Sequence, residues 1–329
     1  MNESKTTAEQ LLALGRRGQL EPAAVERGLR LIDHLPDQAL WRQFINYALL
    51  GLGALFLISG IFFFFAFNWA DLSRFAKFGL LEAAIVIATA FAHWGNLSKI
   101  AGKISLTVAA LLVGALLAVY GQTYQTGADS YLLFLNWLLL ITAWVLIAAF
   151  DVLWLIFFGL ANLTLLLWGM QTGAVDEYGV MELLFALNAL LLFGWEWASN
   201  RGLAWMQQRW LPRLLALAAF AWILIPTLIL IFDWFGNALD QQQLHLIAPA
   251  LYLFFLAFTL FFYTRQCRDL FMLTIAMFSL IVVVTALIGR ALTDADVIFA
   301  FLGASLVVIV QAALAVTWLR RVAKGWEAQ

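Results

Sequence analysis

The sequence predicts an all-α, polytopic transmembrane bundle of about ten spans, and three observations carry that reading. Of 329 residues, 64% are apolar or aromatic and only 12% are charged, where a soluble domain carries about 25% charged residues. Mean hydropathy is +0.90 with 28 Phe and 15 Trp, more apolar surface than a soluble protein of this size covers with polar groups. From Phe44 onward the apolar residues form ten continuous runs, each near the ~20 residues that cross ~30 Å of hydrocarbon. Barrel strands are excluded, because the runs do not alternate with the period of two that a barrel's polar interior demands.

The chain opens with its only long polar stretch, residues 1–43, which lacks the apolar core of a signal peptide. Ser4, Thr6 or Thr7 can cap a first short helix through Leu11, Leu12 and Leu14, which Gly15 and Gly18 are expected to end. Pro22 suits the first turn of a second helix, in which Leu20, Val25, Leu29 and Ile32 recur at helical spacing until Pro36. This cytoplasmic helical hairpin is either a docking surface, for a partner, the protein's own inner loops or anionic lipid, or a solvated tether. Two short helices are not stable alone.

The spans follow at 44–67, 75–94, 104–120, 132–150, 152–170, 180–198, 214–235, 246–263, 270–289 and 297–319. Three regions result: 1–43, a transmembrane domain over 44–319, and a cytoplasmic tail over 320–329. Residues 131–170 contain one charge, Asp151, and a single helix there would be about 60 Å long, twice the bilayer. Splitting at Asp151 places sixteen Lys and Arg on the side of the N-terminus and three (Arg74, Lys77, Arg290) on the other; fusing gives nine against ten. The positive-inside rule selects the split. Both termini are then cytoplasmic in a bacterial inner (plasma) membrane, with Trp41, Trp69, Trp94, Trp195, Trp197 and Trp234 near its boundaries.

A charged side chain at mid-membrane costs ~2.5–3.5 kcal/mol on insertion scales, so acids within spans are functional candidates. Glu82 lies seven residues into the second span, and at 100° per residue Thr89 and His93 fall within roughly 20° of it. The three form a polar stripe. Glu82 is either a proton or cation site in an internal cavity or a buried Glu hydrogen-bonded to a neighbouring helix. Ala84, Ala88 and Ala92 step along the same helix and Ala110, Gly114 and Ala118 along the next, a pattern expected to pack these two backbones closely. Asp151 is expected in an inner turn, Glu196 and Asp233 near span ends within reach of water or headgroups, and Asn46, Asn136, Asn162 and Asn188 as interhelical hydrogen-bonding residues.

The outer loops are expected to supply an acidic, acceptor-rich mouth without positive charge. Gln122, Tyr124, Gln125, Asp129 and Tyr131 lie after the third span, Gln171, Asp176, Glu177 and Tyr178 between the fifth and sixth, and Glu182 at the start of the sixth. Gln125-Thr-Gly-Ala recurs at Gln171-Thr-Gly-Ala, either a parallel duplication or a coincidence in a leucine-rich chain. The loops either line a polar mouth or are solvated connections.

Other chemistry has little to stand on. A net charge of −1 gives no electrostatic reason for nucleic acid. Gly102-Lys103-Ile104 lacks phosphate-loop spacing, which removes nucleotide binding. His34, His93 and His245 are scattered, so neither a metal nor another cofactor is expected, and no nucleophile stands beside a base. Cys267, the single cysteine, excludes a disulfide framework; Arg265 and Arg268 beside it could lower the pKa of its thiol, but an ordinary free cytosolic thiol is the preferred reading.

Three features together resemble the bacterial predicted-membrane-protein family DUF2157. They are Leu-Leu-Ala-Leu-Gly-Arg-Arg-Gly-Gln-Leu at 11–20, Phe-Asn-Trp at 67–69, and Gly121-Gln-Thr-Tyr-Gln125 with Trp137. The resemblance covers roughly the first 140 residues and lends no activity or catalytic residue; it implies a second polytopic membrane protein as partner, beside the lipid bilayer itself. Two functions are therefore expected: transport or translocation of a small solute or lipid headgroup through a polar cavity, or a non-catalytic assembly subunit of an envelope complex. A membrane enzyme ranks behind both.

Overall fold

The computed structural model describes residues 10–31, 38–68, 71–124, 129–233, 247–292 and 297–327. Among them every regular element is helical. The chain divides into two compact units, Met1–Lys77 and Phe78–Gln329.

In the first unit a helical stretch over residues 10–16 turns back on helix α1 (Pro22–Leu31), followed by α2 (Gln38–Asn68). Pro22 occupies the first turn, where a missing amide donor costs nothing. Gly18, at φ 69°, closes the first stretch, with Gln19 N–H donating to Leu14 carbonyl at 3.0 Å. Gly15 does not end it. A Cβ there would stand 2.8 Å from Val25 Cγ2, so its missing side chain lets the two short helices touch. The caps Ser4, Thr6 and Thr7 lie outside the described residues, as do Trp69 and Trp234.

The second unit is a bundle of nearly continuous helices: α3 (Arg74–Trp94, whose first turn belongs to the first unit), α4 (Ile100–Tyr124), α5 (Ser130–Ala148), α6 (Asp151–Thr172) and α7 (Glu177–Ser199). A 3₁₀ turn (Ala204–Met206) leads to α8 (Trp210–Asp233), α9 (Ile247–Arg265), α10 (Leu270–Ala291) and α11 (Val297–Glu327). Among the described residues nine helices are long and apolar enough to cross a membrane. These correspond to nine of the ten expected runs, and the tenth, 44–67, lies on α2. The span residues that remain exposed are mostly apolar, as lipid contact requires.

The split near Asp151 is real. Ala149, in the left-handed region at φ 45°, and Phe150 alone separate α5 from α6. Lys103 Nζ donates to Ala149 carbonyl at 3.0 Å, satisfying an orphan acceptor where a helix dipole also favours a cation. Asp151 itself is 7% exposed, so it sits under the turn and not in open water.

Two apolar cores build the unit. One, with Leu106, Ala110, Val113, Ile141 and Leu153, joins α3 to α6; the other, with Phe158, Trp195, Leu215, Phe220, Tyr252, Phe255 and Met272, joins α6 to α10. Helix α8 lies against α7, α9 and α10, and α11 packs on α10. The two small-residue faces do not meet as expected. Ala88 and Ala92 receive the start of α4, where Ser105 Oγ donates to Ala88 carbonyl at 2.8 Å. Gly114 faces the other way, onto Trp137 of α5. A Cβ there would lie 2.4 Å from the indole, whose Nε1 donates to Ala110 carbonyl at 2.7 Å.

Candidate functional site

Helix α3 carries the candidate stripe because Glu82, Thr89 and His93 share one face of it. Glu82 and His93 are exposed, together with Val86 (66%) and Phe91 (62%). Thr89 is half-buried, and its hydroxyl donates to the Ile85 carbonyl of its own helix at 2.8 Å. The stripe is thus an exterior feature, not a set of groups converging on one enclosed point. Along the axis its two polar ends are roughly 16 Å apart at 1.5 Å per residue, about half the hydrocarbon thickness.

The outer loops assemble in part. Gln171, at the end of α6, donates through Nε2 to Ser130 Oγ and accepts from Tyr131 N–H at 3.3 Å, joining the two expected halves of the mouth. Asp176 is the N-cap of α7, accepting from Gly179 N–H at 3.0 Å, so one of its oxygens serves the helix. Gln122, Tyr124, Asp129 and Glu177 are exposed, Tyr178 and Glu182 half-buried, and Gln125 lies outside the described residues. Tyr124 stacks on Phe78 of α3 at 6.0 Å between centroids and Tyr120 is tilted against it at 6.4 Å, which gives the C-terminal end of α4 an aromatic rim.

Mid-bundle, Asn162 of α6 and Asn188 of α7 form the expected interhelical link. Each amide donates to the other's carbonyl oxygen, at 3.3 and 2.6 Å, and also to a carbonyl one turn back in its own helix. Asn136, expected to do the same, is exposed.

The strongest electrostatic cluster lies at the other end of the bundle and was not anticipated as a unit. Arg209 Nη1 and Nη2 each donate to a Glu196 oxygen at 2.8 Å, and its Nε donates to Asp269 at 3.1 Å. Arg213 takes Asp269 bidentately, both bonds at 3.1 Å, and Tyr263 hydroxyl donates to Glu196 at 2.8 Å. Both acids are buried, Glu196 at 3% and Asp269 at 5% exposure. Glu196 is therefore not the water-reached end group expected of it. Asp269 also caps α10 through Phe271 N–H at 3.0 Å. Burial opposes the charge on Asp269, but hydrogen bonds from Arg213 and Arg209 outweigh it and hold the carboxyl below its ordinary range. Burial likewise opposes the charge on Arg209, and the paired carboxylates raise its pKa regardless.

Cys267 belongs to this cluster rather than to Arg265 and Arg268. Its thiol sits 3.8 Å from Glu196, and burial, with that carboxylate adding to it, pushes its pKa up instead of down. The turn is buttressed from the C-terminal end of α11, where Trp326 Nε1 donates to Thr264 carbonyl at 3.2 Å and Arg268 donates to Trp326 carbonyl at 3.3 Å. Among the described residues no three His, Cys, Asp or Glu side chains are placed to hold a metal ion.

Helices of membrane-crossing length and composition, exposed apolar flanks and internally paired charges define a polytopic α-helical membrane protein. Within that class, residues 8–154 match the family model described as predicted membrane protein (DUF2157). The matched segment contains all three features that carry the resemblance, from the hairpin preface to Trp137. No curated protein and no solved structure matches the chain.

Proposed function

We propose that the protein carries a polar headgroup, of a lipid or a small amphiphilic solute, across the membrane along the exterior stripe of α3, without covalent chemistry. One observation carries this reading: Glu82 and His93 lie exposed on one face of a membrane-length helix. Polar groups facing hydrocarbon are costly unless something polar meets them there. A headgroup sliding along such a face keeps its acyl chains in the bilayer. Glu82 serves as a way-station near the outer boundary and His93 near the inner one, and Gln171 and Tyr131 belong to the outer approach. The orientation rests on the positive-inside count, which places both termini in the cytoplasm of a bacterial inner membrane.

The second reading draws on the same exposure. A second polytopic membrane protein covering α3 would satisfy Glu82 and His93 by helix-to-helix hydrogen bonds and make this chain an assembly subunit.

Reconstitution separates the two. Vesicles carrying fluorophore-labelled phospholipid in both leaflets are treated with a membrane-impermeant reductant. The translocation reading expects fluorescence to fall below the level left in protein-free vesicles, and Glu82→Leu with His93→Leu to restore that level. If wild-type protein bleaches only the outer-leaflet fraction, translocation of phospholipid headgroups by this chain alone is wrong, and crosslinking at residue 82 in native membranes becomes the decisive test of the partner.

A further inference from the structure

The N-terminal hairpin leaves apolar and cationic groups side by side. Its two helices meet through glycines, Gly15 against Val25 and Gly28 against Leu11. That contact leaves Leu12 and Leu14 outside, at 42% and 36% exposure. Leu12, Ala13, Arg16 and Arg17 line one surface concavity, and Leu12 with Leu20, Val25 and Leu29 lines a neighbouring groove of about 750 Å³. Residues 10–31 hold four arginines (Arg16, Arg17, Arg27, Arg30) against two glutamates (Glu21, Glu26), a net charge of +2, while residues 1–43 as a whole balance at six basic against six acidic, so the cationic character is local to the Arg16–Arg17 pair. Arg16 and Arg17 are both exposed.

Chain length decides what this surface can reach. Only residues 32–37 separate Leu31 from Gln38, the start of α2, so the hairpin is held within about 25 Å of that point. Near the start of α2, Trp41 and Phe44 are 53% and 64% exposed, the amphipathic and apolar side chains of a membrane boundary. A small helical element with leucines beside arginines, tethered at the boundary, matches one occupant in both polarity and charge: a lipid surface bearing anionic headgroups.

We infer that the hairpin docks on the anionic lipid surface beside its own first apolar helix, with Leu12 inserted at the headgroup level and Arg16 and Arg17 on lipid phosphates. A partner protein is the competing occupant, and it would not depend on lipid charge. The inference stands independently of the headgroup pathway on α3.

The test uses the full chain in lipid nanodiscs. A fluorophore is placed at Ala13→Cys on a Cys267→Ser background, and nitroxide-labelled lipids report its contact with the bilayer. Quenching is expected in discs containing phosphatidylglycerol and absent in pure phosphatidylcholine. High salt abolishes it, because headgroup charge is screened within a few ångströms. Arg16→Gln with Arg17→Gln lowers the docked-to-undocked ratio by about 30-fold, the factor for two charges at such a surface. The salt titration needs no further substitution, so it holds even if the arginine variant misfolds. Equal quenching in both lipids, or none in either, overturns the inference.

Discussion

Two regions of this molecule handle charge in opposite ways. Where α7, α8 and the α9–α10 turn meet, two buried acids are satisfied by two partly exposed arginines, with Tyr263 completing Glu196. On α3, Glu82 and His93 are left on the outside. A paired, buried network is expensive to break and has no acceptor to spare for a ligand, so it serves as architecture. An exposed polar stripe contributes little to the fold, and on the proposed reading it meets a passing headgroup. The difference warns against ranking intramembrane acids by depth alone; what surrounds the carboxylate decides its use.

The sharpest way to break the comparison is to remove the shared arginine. Arg209→Leu strands Glu196 and half of Asp269 in a buried site, and a loss of about 3–5 kcal/mol in unfolding free energy is expected, measured by denaturant titration in detergent. A change below about 1 kcal/mol would mean the network is ornamental. Gly114→Val drives a side chain into Trp137, where even a Cβ would lie 2.4 Å away. The expected cost is about 1–3 kcal/mol, with Trp137→Ala as the relieving second change. Asn188→Leu removes one half of the amide pair and costs less, about 0.6–2 kcal/mol. Glu82→Gln is the smallest, within about 0.5 kcal/mol, because no packed core depends on it.

Acid sharpens the same contrast. Asp269 has a folded pKa below its ordinary 3.8, so its contribution to stability is fully present above that value and is lost as pH falls through the lower, folded pKa. Melting curves of the wild type should fall faster in that window than those of Asp269→Asn. Cys267, whose pKa lies above its ordinary 9.0, should alkylate more slowly at mildly basic pH than an exposed thiol, and faster in Glu196→Gln.

Much of the fold was legible because membrane solvation writes it in plain composition. The Asp151 hairpin followed from span length and from the sorting of Lys and Arg, although nothing local marks the turn: Ala149 takes a left-handed conformation more often filled by glycine. An interhelical role was expected of four asparagines, and Asn162 and Asn188 fill it with each other while Asn46 and Asn136 are exposed, because sequence marks a polar side chain without naming its partner. The ionic cluster was legible only as co-location. Glu196, Arg209, Arg213 and Asp269 all fall at the same level of the bundle, but helix order decides which of them touch, and hydropathy is silent on helix order. Asp269 in addition reads as an ordinary N-cap before an apolar run, which it also is. The alanine and glycine stripes misled for a related reason, since small residues mark a close approach without naming the partner, and Trp137 claimed it.

The account turns on one division, functional polar groups outside on α3 and structural ones inside. Headgroup flux per folded molecule, compared between Glu82→Leu with His93→Leu and Glu196→Gln, tests it most directly. The account predicts that the α3 variant keeps wild-type stability and loses flux, while the Glu196 variant loses stability and keeps flux in the molecules that remain folded. Flux that survives in the first and disappears in the second would contradict it.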